Sequence, residues 1–381
     1  MNRSLQKCRD FFLNLSSRVP HRVQKSNYEL PYIDFTGRPL STDFLKIHKG
    51  SPKRWLLLTS GTHGVELFYG SALQSHVLKK IIDGSFQIPD NVGIIMGHAI
   101  NPWGAAWLRR VNVNNIDLNR NFITDFPELL ERQKTDPRYK EAKSIYLDTD
   151  EIINPGSPRF SNLYDGAKIA YYFWKYGREK FTYAMMFGQR FKSRGVQYGG
   201  KSMEIELKLL QEKIYELIPT DSEAVIHIDI HTGLGDPGQE TFIVTDEESK
   251  TTTASIFGEK RVDFNSLFSG KDGGLIISGL KETKRIDGKW AAFALEIGTA
   301  PINKTFLSIR DEAVWHNANS IVENFSKKEL SAFNSESYLN HKTKQVLVEM
   351  FCPSSEEWQK SSLNIGYDTV NHTIKYLSAS K

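Results

Sequence analysis

His63 and Glu66 lie three residues apart in the stretch SGTHGVE, residues 60–66. An imidazole nitrogen and a carboxylate oxygen from one turn are two of the three protein ligands of a catalytic zinc, whose fourth position stays open for water. The pair also has a plainer use, since Glu66 could favour the start of the next helix through the macrodipole. With ten histidines in the chain, a His-x-x-Glu arises by chance about once. A third ligand is therefore needed, and AVIHIDIHTGLG, residues 224–235, offers His227 and His231. Strand alternation puts His227, Asp229 and His231 on one face. His231 is the better ligand, because it precedes Thr232-Gly233 and so sits at the mouth of the sheet. His227, roughly 13 Å further back, reads as an interior histidine. Asp229 is either a partner of a ligating histidine or a buried, hydrogen-bonded acid.

Two further stretches carry charge where charge is costly. Residues 101–122, NPWGAAWLRRVNVNNIDLNRNF, gather Arg109, Arg110, Asn112, Asp117, Asn119, Arg120 and Asn121 after a buried strand. This is either a solvated loop or an anion-binding wall, and the guanidinium fork suits bidentate capture of a carboxylate. In AAFALEIGTA, residues 291–300, Glu296 ends an apolar run. Such an acid is either salt-bridged or functional, and a general base beside an activated water fits it.

Apolar runs bounded by glycine-bearing loops predict the elements that position these groups. Strands are expected near 28–34, 44–49, 55–59, 92–96, 224–230, 241–245 and 291–297, with helices near 4–17, 66–82, 204–218 and 311–326. The fold class is α/β: a mixed, largely parallel central sheet with helices on both faces. Residues 1–381 read as a single domain with a helical insertion at about 135–200. Its helices are expected near 139–147, 165–175 and 179–190, and a C-terminal extension at about 342–379 is expected to be a strand (345–350) and a closing helix.

Composition narrows the function. The chain has 381 residues, 39% of them hydrophobic, enough for a sizeable core. A net charge of +4 is too small to argue for nucleic acid or a membrane surface. The two cysteines, Cys8 and Cys352, give no disulfide framework and favour a reducing compartment. With neither a signal peptide nor a spanning segment, a cytoplasmic location is expected, although signal-independent export would leave no trace in the sequence. Oligomeric state is not legible.

Taken in order, His63-x-x-Glu66, Arg110, Asp117-Leu-Asn119-Arg120-Asn121-Phe122, His231 and Glu296 resemble the zinc carboxypeptidase superfamily, which includes carboxypeptidase A-like enzymes, murein peptide amidases and the aspartoacylase/succinylglutamate desuccinylase group. The phrases look most like a bacterial branch of it, and the resemblance spans about 50–300. It implies that His63, Glu66 and His231 hold one zinc ion, with Glu296 as general base and acid. Arg110 would stabilise the oxyanion, Asn119 and Arg120 would bind a terminal carboxylate, and Asp117 would accept a hydrogen bond from His63. Two histidines and a carboxylate also favour zinc over other divalent ions. The implied activity is hydrolysis of a peptide bond beside a free carboxylate. Deacylation of an N-acyl amino acid is the close alternative, and an inactive binding module the distant one. Carboxypeptidase A-like enzymes carry a tyrosine on a loop a little over twenty residues before the glutamate. Here that loop, SLFSGKDGGLIISG, has Phe268 and Lys271 instead, with glycines that would let it move.

Overall fold

Long apolar runs such as Trp55–Leu58 can be buried on both faces only inside a sheet covered by helices on each side. The computed structural model, which describes residues 1–160, 163–264, 273–319 and 333–379, has this arrangement. Eight strands form one sheet: β1 (Arg22–Ile33), β2 (Pro39–His48), β3 (Arg54–Ser60), β4 (Val92–His98), β5 (Ala224–Thr232), β6 (Glu240–Val244), β7 (Val262–Phe264) and β8 (Lys289–Ile297). Their order is β1-β2-β4-β3-β5-β8-β6-β7. The central β4, β3, β5 and β8 are mutually parallel, whereas β1–β2, β2–β4 and β6–β8 pair antiparallel.

Period-two alternation sorts the strand residues between two cores. Leu56, Leu58, Ile226, Ile228, Phe293 and Leu295 pack on one face against the helices Leu67–Ile82 and Glu356–Ala379. Trp55, Leu57, Val225, Trp290 and Ala292 pack on the other against Ile205–Leu217 and Ile276–Glu282. Each such Val, Leu, Ile or Phe side chain contributes about 1.5–3 kcal/mol by leaving water. His227, Asp229, His231 and Glu296 alternate out of phase with Ile228 and Leu295, so they belong to the second face. They approach the carboxyl ends of the parallel strands, where open α/β sheets carry their sites.

Two expectations need correction. The segment expected as a strand at 345–350 is the helix Lys342–Phe351. Its Val and Leu residues read as alternating, but burial of Thr343, Lys344, Leu347, Val348 and Phe351 follows a helical stripe, and the His341 ring accepts the Thr343 N–H at the start. The helix expected at 311–326 begins at Ile302 and runs to Ala318; residues 320–332 lie outside the described ones. Helices Pro137–Asp148, Leu163–Tyr176 and Arg178–Met186 fall where the insertion was expected, but a further helix, Phe126–Thr135, precedes them. The insertion is tied to the Ile302–Ala318 helix by a fully buried ion pair, Arg310–Asp165, at 2.8 Å.

Candidate metal centre

After β3 the chain must reverse tightly. Gly61 does so at φ +73°, with Leu67 and Ala99 close to where a Cβ would stand. Gly64 is needed for a different reason: a Cβ there would lie 2.1 Å from the Gly104 backbone. Its N–H donates to the Arg110 carbonyl at 3.1 Å, and the Val65 N–H donates to that of Arg109 at 3.0 Å. The turn carrying His63 and Glu66 is thus clamped by the loop that carries Arg110.

The three expected ligands converge. Nδ1 of His63 lies 2.8 Å from one Glu66 oxygen, and Nδ1 of His231 lies 2.8 Å from the other. One ligand atom from each of the three residues lies within 4.8 Å of the other two, and all three are buried. The outer ring nitrogens are fixed from behind. His63 Nε2 donates to Asp117 Oδ1 at 3.1 Å, and His231 Nε2 donates to Asp229 Oδ2 at 2.6 Å. Both rings therefore turn Nδ1 toward Glu66. This resolves Asp229, which the sequence left open: it holds His231 while accepting the hydroxyls of Thr59 (2.6 Å) and Thr62 (3.0 Å). His227 stays apart, with Nε2 on Thr59 Oγ1 at 2.8 Å, and burial pushes it down to about 4, so it is neutral.

Electrostatics suit a cation at this point. Burial pushes the Glu66 carboxyl up, but His63 and His231 more than reverse this and hold it below its ordinary range. Asp117 behaves alike, burial being outweighed by His63 and Arg110. His231 is held well above its ordinary value: burial opposes its charge, but Asp229 and Glu66 favour it more strongly. Glu296 is Cα partner to His231 across β5–β8 and is 8% exposed. Burial, with help from the Glu66 charge, raises its carboxyl to about 7 against the pull of His231, His63 and Arg110. Its Oε2 is buried without a hydrogen-bond partner among the described residues. Two imidazoles and a carboxylate converging beside this orphaned oxygen fit a divalent ion of the zinc type.

The polar loop divides its labour. Arg110 reaches inward, donating to Glu66 Oε1 at 3.0 Å and to Asp117 Oδ2 at 3.4 Å. Arg120 lines the same cleft, with Nε donating to the Met186 carbonyl at 2.9 Å and Nη1 to that of Asn119 at 2.6 Å. Burial lowers it to about 10, so it remains cationic at neutral pH. Asn119 also lines the cleft, and its amide oxygen accepts the Ile276 N–H at 3.0 Å. Arg109 turns away to Glu312 at 3.0 Å, Asn112 bonds Glu204 at 2.8 Å, and Asn121 holds the carbonyls of Gly199 and Ser202. These three fix the loop rather than the cleft. Phe268 and Lys271 lie outside the described residues.

Sequence reasoning missed Thr59, Thr62 and Gln197. Thr59 could have been found, since strand alternation gives it the phase of Leu57. Gln197 lines the cleft at φ +59° with a buried amide oxygen that has no partner among the described residues, and no local pattern marks it.

Over residues 2–364 the chain matches the family model described as "Protein of unknown function (DUF2817)", and it belongs to that family. No curated protein matches it. Among solved structures it is similar to the succinylglutamate desuccinylase from Chromobacterium violaceum, with 15% identity over 84% of this chain and 77% of that one and a TM-score of 0.35. It is similar to a metallo-carboxypeptidase from Burkholderia cenocepacia at 12% identity, 94% and 68% coverage and a TM-score of 0.38. Carboxypeptidase A from Helicoverpa armigera is a third, at 12% identity, 87% and 74% coverage and a TM-score of 0.40. Among the described residues, no helix is long and apolar enough to cross a membrane.

Proposed function

We propose that this protein is a zinc-dependent hydrolase that cleaves an amide bond beside a free carboxylate, in a peptide or an N-acyl amino acid. The observation that carries the reading is the convergence of His63, Glu66 and His231, with ligand atoms within 4.8 Å of one another, beside the unpartnered oxygen of Glu296. His63, Glu66 and His231 would hold the ion, which when bound supplies Lewis acidity and a water acidic enough to ionise near neutral pH.

The chain's own groups do the rest. Glu296 removes a proton from the attacking water and delivers it to the leaving amine, and a carboxyl raised to about 7 is suited to both transfers. Arg110, held at the edge of the site by Glu66 and Asp117, donates to the carbonyl oxygen as negative charge develops on it. Arg120, cationic and buried in the same cleft, receives the substrate carboxylate with Asn119 beside it. Asp117 and Asp229 keep the two imidazoles in the tautomer that offers Nδ1.

The test is zinc removal and return, assayed on a library of peptides and N-acyl amino acids. Hydrolysis should vanish with chelation, return with zinc, and stay absent in Glu296→Gln with zinc still bound. Zinc-independent turnover, or full activity in Glu296→Gln, would refute the reading. Zinc binding with no turnover of any library member would favour the inactive binding module.

A further inference from the structure

We propose that Phe351, at the end of the helix Lys342–Phe351 in the C-terminal extension, is a positioning residue for Arg110, its ring supporting the guanidinium that meets the developing oxyanion. This rests on the role given to Arg110 in the proposed reaction.

The helix grips the arginine loop from both of its ends. Near its start, the buried Lys344 ammonium donates to Glu312 Oε1, and the same carboxylate accepts Arg109 Nε at 3.0 Å. At its end, the centre of the Phe351 ring lies 5.8 Å from the guanidinium carbon of Arg110. That is within the roughly 6 Å over which a ring face attracts a guanidinium. Arg109 and Arg110 are also the residues whose carbonyls accept the Val65 and Gly64 N–H groups. The helix, the arginine pair and the turn with His63 and Glu66 are thus connected.

The same helix end reaches the other two strands of the site. A helix leaves its last four carbonyls without partners inside it. Here threonines beside the site take two of them. The Phe351 carbonyl accepts Thr232 Oγ1 at 2.6 Å, and the Met350 carbonyl accepts Thr299 Oγ1 at 2.6 Å. Thr232 follows His231 at the end of β5, and Thr299 lies just beyond Glu296 and the end of β8. The Phe351 side chain is buried, borders the cleft and packs on the Gly233 backbone, where a Cβ would stand 2.7 Å from the ring. It therefore offers Arg110 a fixed face.

Arg110 needs such a face because its other supports are compromised. It donates to Glu66 Oε1 at 3.0 Å and to Asp117 Oδ2 at 3.4 Å. Glu66 is also a proposed ligand, and a carboxylate that shares its charge with a cation holds a guanidinium less strongly. The contact with Asp117 is long for a hydrogen bond. The Phe351 ring is neutral and ligates nothing, so its support does not depend on the ion.

Phe351→Leu keeps apolar bulk and removes the ring. In the zinc-loaded protein it should lower kcat about 5–30-fold on whichever library compound is hydrolysed, with KM within about twofold. Phe351→Tyr, which restores a ring, should recover most of the loss, and Phe351→Met replaces the leucine variant should that one not fold. In an Arg110→Ala background, with no guanidinium to support, Phe351→Leu should cost less than about twofold more. A readout independent of turnover uses protein made with isotope-labelled arginine. The Nε–H resonance missing in Arg110→Ala belongs to Arg110. Phe351→Leu should move it and speed its exchange with water, while zinc affinity stays within about threefold of wild type. The inference is overturned if Phe351→Leu leaves kcat within about twofold, raises KM alone, costs as much in the Arg110→Ala background, or leaves the Arg110 resonance unmoved. If the wild type hydrolyses no library compound, the hydrolase reading fails, and the Arg110 resonance decides the positioning by itself.

Discussion

Replacing Asp229 by Asn probes the metal site without touching a proposed ligand. Thr59 donates to Asp229 Oδ1 at 2.6 Å and Thr62 does so at 3.0 Å, while Oδ2 accepts His231 Nε2 at 2.6 Å. In Asp229→Asn the two hydroxyls keep the amide oxygen at the Oδ1 position. The amide NH2 must then face Nε2, which is forced to become an acceptor. The proton moves to Nδ1, the nitrogen aimed at Glu66, and His231 adopts the tautomer that cannot ligate there. Loss of such an outer partner typically costs 10–100-fold in metal affinity, or about 1.4–2.7 kcal/mol. Asp117→Asn is the matched control. Its Oδ1 accepts both His63 Nε2 (3.1 Å) and the Asn119 N–H (2.9 Å), whereas Oδ2 faces Arg110. The amide oxygen can stay on His63, so the loss should be smaller. Zinc affinities would be read by competition with a chromophoric chelator, with thermal melting of the metal-free proteins as a check on folding. Asp229→Asn within about threefold of wild type, or a larger loss in Asp117→Asn, would refute the argument.

Arg110→Ala should keep zinc and lose about two to three decades of kcat, since it removes one donor to the developing oxyanion; normal turnover would remove Arg110 from the mechanism. Arg120→Gln should lower kcat/KM about 10–100-fold for substrates with a free carboxylate and have little effect on the corresponding amides, because only the former use a charge-assisted pair; equal losses on both would contradict the assignment. The pH dependence follows from Glu296, whose carboxyl burial raises from 4.5 to about 7 in the metal-free protein. Only the ionised form can act as base, so kcat/KM should rise with pH through an acid limb. The charge of the bound ion places that limb between about 4.5 and 7. A profile flat across this range in the wild-type enzyme would exclude Glu296 as the titrating base.

How much could be read from the sequence depended on how local the determinants were. β3, β5 and β8 were legible because strands covered on both faces must be apolar throughout. His231 and Glu296 stood out because each lies at the end of such a run, and His63 and Glu66 because they stand three residues apart in the glycine-bearing turn that follows β3. The role of Asp229 was hidden, since alternation gives its face but not its partners, and those include Thr59 and Thr62, far away in sequence. Residues 345–350 misled because Val346, Leu347 and Val348 satisfy either period, and packing against the Ile302–Ala318 helix decides between them. The Phe126–Thr135 helix carried its own signal, an Asp125 cap accepting the Glu128 N–H with Pro127 in the first turn, which an emphasis on apolar stripes passed over.

The most direct test is metal analysis of the purified, zinc-equilibrated chain, with X-ray absorption at the zinc edge. One zinc ion per chain, bound by two imidazoles and oxygen donors, is the predicted result, and it should be lost in the His63→Ala/His231→Ala double variant. A wild-type chain that takes up no zinc, or a double variant that still binds it with the same edge spectrum, would contradict the account.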